Sequence, residues 1–389
     1  MERAIDTYQA EPIPAAAQDA IEELLQSGDL FRYTASSDAP VALLEEEFAA
    51  QIGSKFALAV SSCSAAIFLA LRALNLPHGA RVLVPGFTFA AVPSSVIHAN
   101  CTPVLCEVLS NYRICLADFE DKLASAEATV ISHMRGHTSD MAAIMSLCDR
   151  QGIPIIEDAA HSLGSTWGGQ NIGTIGKMGC FSFQSYKMIN AGEGVMLISD
   201  DIDLIARAVI MSGAYEHNWK KHPVLAEAFA PIQNKLPLYN LRMSNLSATV
   251  IRPQIPLLSE RSKRGLRNHD YFADKLTRSK YIDVPKPLDQ EVRAPDSIQF
   301  NLVGLDDTAV LKFVRAAQRR GVPTEVFGLG EDNARAYWNW EFLDVIPDLP
   351  KTRDMLLRAC DVRLPVRLDL ADIDVLAENL LAAIAEATS

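Results

Sequence analysis

Short apolar runs recur along the first half of the chain, and helical patterns separate several of them. The runs lie at residues 55–60, 81–85, 103–109, 128–133, 153–158, 179–183 and 194–199. Helical patterns cover 64–75, 118–126 and 139–152. Strands that alternate with helices predict an α/β fold, a three-layer sandwich with a mostly parallel sheet of seven strands. The near-continuous apolar character of the runs is typical of strands that are buried on both faces.

The pattern changes near residue 250. A long basic helical stretch at 258–279 is followed by a strand-like run at 296–304 and by helical patterns at 307–321 and 371–387. We therefore predict a large domain over residues 1–250, which begins with a helical segment at 1–50. A smaller α+β domain is predicted over residues 251–389.

The net charge of -12 disfavours some classes of main partner. An acidic protein repels the nucleic-acid backbone and anionic lipid surfaces, so neither is expected as the main partner. The first residues have no basic start followed by an apolar core, and no stretch approaches the ~18 apolar residues of a membrane-spanning helix. These features predict a cytoplasmic protein.

No metal site is predicted from the cysteines and histidines. The seven cysteines are scattered and never spaced as C-x-x-C, which argues against a zinc site and against a disulfide framework. His133 and His137 are four residues apart, but Gly136 lies between them and the pair follows a strand. Such a pair is a ligand motif only on a continuous helix face.

The segments that follow the strands carry the polar and aromatic candidates, because ligands of such sheets bind beyond the carboxyl ends of the strands. Ser62 and Ser64 follow the first strand and open a helix, where hydroxyl groups cap the helix or help to bind a phosphate. Phe87 and Phe89 follow the second strand. An aromatic ring there either packs in the core or stacks on a flat ligand.

Two charged residues follow later strands. Asp158 ends an apolar strand, where a carboxylate needs a hydrogen-bond donor or a cationic partner. Lys187 lies between a strand and a glycine-punctuated loop, and is either a solvated lysine or a partly desolvated amine that attacks an aldehyde. A phosphate cradle, an aromatic ring, a carboxylate and an amine are together the parts that pyridoxal phosphate requires.

Several motifs resemble those of the DegT-type sugar aminotransferase family of fold-type I pyridoxal-phosphate enzymes. "GSKFALAVSSCSAAI" resembles the family's "GxKYALAVNSGTAAL", and "VPGFTFAAV" resembles "VPSFTFVAT". "IIEDAAHSLG…GCFSF" and "NLRMSNLSAT" have counterparts as well, in the same order. The family's Schiff-base lysine lies five residues after the serine of "FSF", and Ser182 and Lys187 keep that spacing.

The resemblance implies roles for individual residues. Lys187 would form the Schiff base with pyridoxal 5'-phosphate and shuttle a proton, while Asp158 would keep the pyridine nitrogen protonated. His161 would lie near the phenolic oxygen of the cofactor, and Phe89 would stack on its ring. The phosphate would be bound by the remaining predicted residues, which are Cys63, Ser64 and Ser182. In the family, an asparagine that matches Asn240 reaches the phosphate of the neighbouring subunit, which implies a homodimer with shared active sites.

One motif departs from the family pattern. Sugar enzymes usually read "HLYGxPADM", whereas residues 133–141 read "HMRGHTSDM". Arg135 either solvates a surface loop or lies near the mouth of the site, where a guanidinium binds a carboxylate or phosphate. Arg135 and His137 are therefore the predicted substrate residues. The second domain also lacks the family's "HYPxPLH", which favours an acceptor other than a nucleotide sugar.

The resulting prediction is an aminotransferase that moves an amino group from glutamate or glutamine to a small polar carbonyl compound. A keto sugar, a cyclitol ketone or a related biosynthetic intermediate would be the acceptor. Two alternatives stay open, namely another reaction of the same cofactor (decarboxylation, elimination or carbon–carbon bond formation) and a non-catalytic regulatory homologue. Nicotinamide binding by the glycines of 168–176 is less favoured, because the stretch does not open a clear helix.

Overall fold

The protein is described from a computed structural model, over residues 5–34 and 38–389. The strands are β1 (Phe56–Val60), β2 (Arg81–Pro85), β3 (Thr102–Cys106), β4 (Ala128–Ser132), β5 (Ile155–Asp158), β6 (Thr166–Trp167), β7 (Gln170–Asn171), β8 (Met178–Ser182), β9 (Val195–Ser199), β10 (Ile282–Asp283), β11 (Glu291–Val292), β12 (Ser297–Leu302), β13 (Glu325–Val326) and β14 (Ala359–Arg363). The α-helices are α1 (Ala15–Ser27), α2 (Pro40–Ile52), α3 (Cys63–Ala73), α4 (Ala91–His98), α5 (Leu116–Leu123), α6 (Met141–Gln151), α7 (Ile202–Gly213), α8 (Ala226–Phe229), α9 (Asn245–Ile251), α10 (Leu258–Leu276), α11 (Asp307–Arg319), α12 (Pro350–Leu356) and α13 (Leu370–Thr388).

Seven strands form the main sheet, in the order β1-β9-β8-β5-β4-β2-β3. Strand β9 runs antiparallel to its neighbours β1 and β8, whereas the pairs from β8 through β5, β4 and β2 to β3 are parallel. The predicted fold class, a mostly parallel seven-stranded sheet in an α/β protein, is confirmed. All seven apolar runs of the sequence contribute strands to it.

Two hydrophobic cores lie on opposite faces of the main sheet. One face packs against α3, α4 and α7, and the other packs against α2, α5 and α6. Alternate residues of one strand enter different cores; Val82 and Val84 face the first core and Leu83 faces the second. Because both faces are covered, the central strands can be apolar throughout, and every residue of β4, β5, β8 and β9 is buried.

A second sheet lies in the C-terminal part of the chain. Its strands run antiparallel in the order β10-β12-β14-β13. A third core, which includes Phe272, Phe300 and Phe313, joins this sheet to α10, α11 and α13. This region has the α+β character that the sequence predicts for residues 251–389.

Contacts cross the predicted domain boundary at residue 250. The short strand β11 pairs with β6, and Phe327, Tyr337 and Trp340 pack into a core of the main sheet. The boundary therefore stays a prediction. The predicted helical segment 1–50 contains α1 and most of α2, whereas its residues 1–4 and 35–37 lie outside the described part of the chain.

None of the helices in the described residues combines the length and the apolar character needed to cross a bilayer.

Candidate active site

A cavity of about 590 Å³ lies at the carboxyl ends of β5 and β8, next to the start of α3. It is where the topology of the sheet predicts a ligand site. Predicted site residues from distant parts of the chain meet in its lining, which contains Cys63, Ser64, Phe89, Arg135, Asp158, His161, Ser182 and Lys187. The other two predicted residues, His137 and Asn240, do not line it.

Lys187 lies in the hairpin connection between β8 and β9. Its backbone amide donates to the carbonyl of Gln184 (2.8 Å), and Phe183 N bonds Gly194 O (2.9 Å) where the connection closes. Gly194 has a φ of 135°, and a Cβ there would lie 2.9 Å from the Met243 side chain. Glycine is favoured at this position, because L side chains rarely adopt this backbone conformation.

The amine of Lys187 is in contact with the imidazole of His161. Nζ lies 2.8 Å from Nε2 and 3.1 Å from Nδ1 of that ring. The pKa of Lys187 is lowered from 10.5 to about 8, mainly by burial and also by the positive charge of Arg135, against the opposing effect of Asp296 and Asp158. A neutral, nucleophilic amine is thus available at mildly alkaline pH.

His161 is the partner of that amine. Burial lowers the pKa of His161 well below 6.5, and the neighbouring Lys187 charge acts in the same direction. The ring is therefore neutral near pH 7 and offers a lone pair to the ammonium group. It can hold the amine in place without adding a second positive charge.

Asp158 ends β5 and is fixed by hydrogen bonds. Its Oδ2 accepts from the Ser132 hydroxyl (2.7 Å), which in turn accepts from the Thr88 hydroxyl (2.8 Å). Oδ1 accepts from the backbone amide of Ala160 (3.2 Å). Neither Ser132 nor Thr88 is predicted from the sequence. Ser132 is the last residue of β4 and pairs in register with Asp158, so the adjacency of the two strands is the signal that identifies it.

Helix α3 directs its first backbone amides at the cavity. Ser62 is the N-cap, and its hydroxyl accepts from the amide of Ala65 (3.2 Å), while Ala66 N makes the first intrahelical bond, to Ser62 O. The backbone amides of Cys63 and Ser64 come before these bonded amides in the chain. They point out of the N-terminal end of the helix, where they favour the binding of an anion. Ser182, at the end of β8, lines the same cavity and is 6% exposed.

Glu157, the neighbour of Asp158, has a different environment. It is fully buried, and its carboxylate accepts from the backbone amides of Gly173 (2.8 Å), Ile175 (2.7 Å) and Gly176 (2.7 Å). The ring of His133 lies 3.1 Å from the same carboxylate. Glu157 thus fixes the glycine-rich segment to the sheet. The amides that a nucleotide phosphate would need in this segment are already used, which counts against nicotinamide binding there.

Arg135 lines the cavity, as predicted, and its side chain is buried there. The side chain is 5% exposed, and its guanidinium forms an ion pair with Asp361 of β14. The backbone is left-handed at this residue (φ 55°, ψ 25°), a conformation that costs a non-glycine residue about 1–2 kcal/mol. The alternative of a solvated surface arginine is excluded by this burial. The sequence could not reveal it, because Asp361 is remote in the chain.

His137 is turned away from the cavity. It is 2% exposed, its Nε2 lies 2.9 Å from Oε1 of Gln299, and its ring packs on Tyr112 with centroids 4.7 Å apart. Gln299 donates to Asp361 (2.7 Å), the ion-pair partner of Arg135. His137 therefore supports the arginine through this chain of bonds, and its role toward a substrate stays a prediction.

Asn240 also lies outside the cavity of its own chain. Its Oδ1 accepts from Arg242 (2.7 Å), close to Gly213.

Phe89 lies at the cavity and is 46% exposed, so its ring is accessible to a ligand. Among the residues described, no group of three or more His, Cys, Asp and Glu side chains is arranged to hold a metal ion.

Residues 13–381 match the sequence profile of the DegT/DnrJ/EryC1/StrS aminotransferase family. The chain belongs to this family. The spore coat polysaccharide biosynthesis protein SpsC of Bacillus subtilis is 32% identical over 262 residues, which cover 65% of each chain. The L-glutamine:scyllo-inosose aminotransferase of Streptomyces griseus is 30% identical over 270 residues, 67% of this chain and 62% of that enzyme.

Solved structures share the fold of this chain, and one of them is the putative sugar aminotransferase Spr1654. Spr1654 of Streptococcus pneumoniae in its PLP form superposes with a TM-score of 0.86 over the whole of both chains, at 17% sequence identity. At that identity the likeness establishes the fold and no more. The chain spans less than two thirds of the length of the curated relatives described above.

Proposed function

We propose that the protein is a pyridoxal-phosphate-dependent aminotransferase that moves an amino group from an amino-acid donor to the carbonyl group of a small polar acceptor. One observation carries the proposal. The Lys187 amine, with its lowered pKa, shares one cavity with the hydrogen-bonded carboxylate of Asp158 and with the first amides of α3. An amine, a carboxylate and an anion site in one cleft are typical of catalysis rather than of structural support.

The chemical character of the cavity fits the cofactor. A phosphate requires backbone amides and hydroxyl groups, which Cys63, Ser64 and Ser182 provide. A pyridine ring requires a carboxylate beside its nitrogen and an apolar or aromatic surface, which Asp158 and Phe89 provide. When bound, pyridoxal phosphate supplies an aldehyde that reacts with amines and a ring that accepts electrons from the substrate carbon.

Several residues of the cavity have separate roles in the proposed reaction. Asp158 would hold a proton on the ring nitrogen, and the Ser132 hydroxyl fixes the orientation of that carboxylate. Lys187 would hold the cofactor through its aldehyde and would serve as the general base that moves a proton to or from the substrate carbon. His161 holds the freed amine close by, because its neutral ring accepts a hydrogen bond from Nζ.

We further propose a homodimer with shared active sites. Asn240 lies outside the cavity of its own chain, and the family resemblance assigns its counterpart to the phosphate of a neighbouring subunit. We also propose a cytoplasmic location, as the sequence analysis predicts. The donor is proposed to be glutamate or glutamine, and the names of relatives such as L-glutamine:scyllo-inosose aminotransferase support this choice.

Covalent trapping tests the proposal and requires no acceptor. The purified protein is incubated with pyridoxal phosphate, reduced with borohydride and digested, and mass spectrometry should find the cofactor mass on the peptide that carries Lys187. The Lys187→Ala variant should lose both the label and the visible absorbance, whereas Lys312→Ala, which removes an exposed lysine of α11, should keep them.

Incubation with glutamate or glutamine then separates the reaction classes. Formation of the matching 2-oxo acid, with loss of the visible absorbance, is the result expected of an aminotransferase. Release of carbon dioxide or of an eliminated side-chain group would indicate the alternative chemistries. A protein that is not labelled at Lys187 would contradict the proposed function altogether.

A further inference from the structure

The segment that precedes α1 contributes one side chain to the cavity that contains Lys187. Tyr8 lines this cavity together with Tyr186, the residue before the lysine. The two tyrosine rings meet edge to face, with centroids 6.3 Å apart and planes at 85°. Tyr8 is not a predicted site residue, because it lies far along the chain from every strand of the main sheet. Its ring nevertheless forms part of the cavity wall.

An arginine of the C-terminal region holds this segment in place. The Arg367 guanidinium donates to the backbone carbonyls of Asp6 and Gln9, the latter at 3.4 Å. The Arg367 backbone amide donates to the Glu11 carboxylate (3.1 Å). Asp6 also closes a turn, since its Oδ1 accepts from the amides of Tyr8 (2.8 Å) and Gln9 (3.1 Å). The backbone is thus fixed on both sides of Tyr8.

The hydroxyl group of Tyr8 is available to a ligand. Tyr8 is 46% exposed at the cavity, and no donor or acceptor in residues 5–34 and 38–389 hydrogen-bonds its hydroxyl. Burial raises the pKa of this hydroxyl, and the negative charges of Asp361 and Glu325 act in the same direction. The positive charges of Arg363 and Arg135 oppose the shift. The phenol is therefore neutral at physiological pH, and its hydroxyl can both donate and accept a hydrogen bond.

The cavity lining falls into two parts. The groups that fit pyridoxal phosphate come mainly from the start of α3 and from the ends of β5 and β8. The other part includes Tyr8, Tyr186, Glu325, Arg335 and Arg363. Ionic side chains are the stronger partners for a charged group, whereas the Tyr8 hydroxyl suits a neutral oxygen atom. An amino-acid donor is charged and a carbonyl acceptor need not be, so the hydroxyl is better suited to the acceptor.

We propose that the Tyr8 hydroxyl binds a hydroxyl group of the carbonyl acceptor, and that Arg367 is the positioning residue that holds Tyr8 at the cavity. The inference rests on the proposed function and deepens it. The rings of Tyr8 and Tyr186 offer an apolar surface next to this hydroxyl, which suits the C–H groups of a ring. The acceptor that fits is therefore a hydroxylated ring ketone. A protein group that hydrogen-bonds a substrate hydroxyl disfavours an analogue without it, because the protein group is then left unpaired.

Two ring ketones of the same size test the recognition of a hydroxyl group. The ring of scyllo-inosose carries hydroxyl groups, and the ring of cyclohexanone carries none. The enzyme is first converted to its amine-loaded form with glutamate or glutamine, and the excess donor is removed. Stopped-flow absorbance then follows the return of the visible band after each ketone is added, which gives a second-order rate constant for the acceptor step.

The Tyr8→Phe variant removes only the hydroxyl. With scyllo-inosose it should react about threefold to tenfold more slowly than the wild-type enzyme, which is the effect of one hydrogen bond. With cyclohexanone the two enzymes should not differ. Tyr281→Phe, which removes a tyrosine hydroxyl outside the cavity, should match the wild-type enzyme with both ketones. An unaltered rate of Tyr8→Phe with scyllo-inosose, equal slowing with both ketones, or no reaction of the wild-type enzyme with scyllo-inosose would overturn the proposal.

Arg367 is tested through the same reaction. Arg367→Gln removes the guanidinium that holds Asp6 and Gln9, and it should slow the reaction of scyllo-inosose to a similar extent as Tyr8→Phe. If Arg367 acts through Tyr8, the double variant should be no slower than the slower of the two single variants. Losses that multiply in the double variant would show that Arg367 acts independently of Tyr8, and its positioning role would be wrong.

The donor step separates failure of this inference from failure of the proposed function. Tyr8→Phe should convert glutamate or glutamine at close to the wild-type rate. Equal slowing of the donor and acceptor steps would mean that the hydroxyl serves the cofactor or both substrates, and the claim about the acceptor would be wrong. If the wild-type protein releases no 2-oxo acid from either donor, the proposed function itself fails and the inference falls with it.

Discussion

The Nζ atom of Lys187 lies 2.8 Å from Nε2 of His161, and both groups have their pKa lowered by burial. The two bases are therefore not equivalent. Near pH 7 the imidazole is neutral, whereas the lysine still carries most of its proton and becomes neutral as the pH passes about 8. The neutral imidazole of His161 thus holds the Lys187 amine in position.

The capture of pyridoxal phosphate by the apo-protein should follow this titration. Only the neutral amine attacks the aldehyde, so the rate of attachment should rise with pH and reach its midpoint near 8, rather than near 10.5 as for an ordinary lysine. Stopped-flow absorbance measures the rate. Asp296 raises the pKa of Lys187, so Asp296→Asn should move the midpoint to lower pH. A midpoint at 10 or above would contradict the assignment.

The adjacent carboxylates Glu157 and Asp158 should respond to substitution in opposite ways. Asp158→Asn removes the charge that would hold the proton on the cofactor ring, so turnover should fall by about 100-fold or more, with little change in the free energy of unfolding. Glu157→Gln places an amide opposite three backbone donors and should lower the free energy of unfolding by about 2–4 kcal/mol. Urea unfolding and steady-state rates of the two variants test this contrast. If both variants lose the same free energy of unfolding, the contrast is wrong.

Shared active sites should be detectable by mixing inactive variants. Asn240→Ala and Lys187→Ala alter residues that are proposed to serve different sites of one dimer. A mixed dimer would then contain one intact site, and subunit exchange should restore about a quarter of the wild-type activity. Ser182→Ala mixed with Lys187→Ala is the control, since both residues line the same cavity and no intact site can form. Equal recovery in the two mixtures would argue against a contribution of Asn240 across the interface.

His222 should make the fold sensitive to acid. Its ring lies 3.0 Å from the Tyr33 hydroxyl, and burial lowers its pKa from 6.5 to about 3. Between these values the unfolded chain binds a proton that the folded chain does not, so stability should fall as the pH drops below 6.5. One such group contributes at most about 1.4 kcal/mol per pH unit.

The His222→Gln variant isolates this contribution, because glutamine keeps an acceptor for Tyr33 and does not titrate. Urea midpoints at pH 7 and pH 5 should differ less in the variant than in the wild-type protein. If the two proteins lose the same stability over this range, the acid sensitivity comes from other groups.

The sheet and the strand-end residues were predictable from the sequence because both depend on local patterns. Apolar runs identified every strand of the main sheet, and the rule that ligands bind at the carboxyl ends of strands selected Asp158 and the segment before α3. Both lie at the cavity. The structure gives the positions of these residues, whereas their functional roles stay predictions.

The remaining parts of the cavity depend on distant contacts. Arg335 and Arg363 reach it only through the packing of the second sheet, and the burial of Arg135 depends on Asp361, more than two hundred residues away in the sequence. Ser132 and Thr88 were not predicted, because serine and threonine are common in every kind of structural environment. His137 shares a motif with Arg135 but points into the protein, because Gln299 binds it there.

The direction of β9 decides where Lys187 can lie. Had β9 run parallel to β8, the connection would need a crossover of a dozen or more residues over one face, usually through a helix, and Lys187 could not lie in a hairpin beside Ser182. A slip of one residue in the β8–β9 register would turn Ser182 to the opposite face of the sheet. Any redesign of the cavity should thus leave the length of this hairpin unchanged.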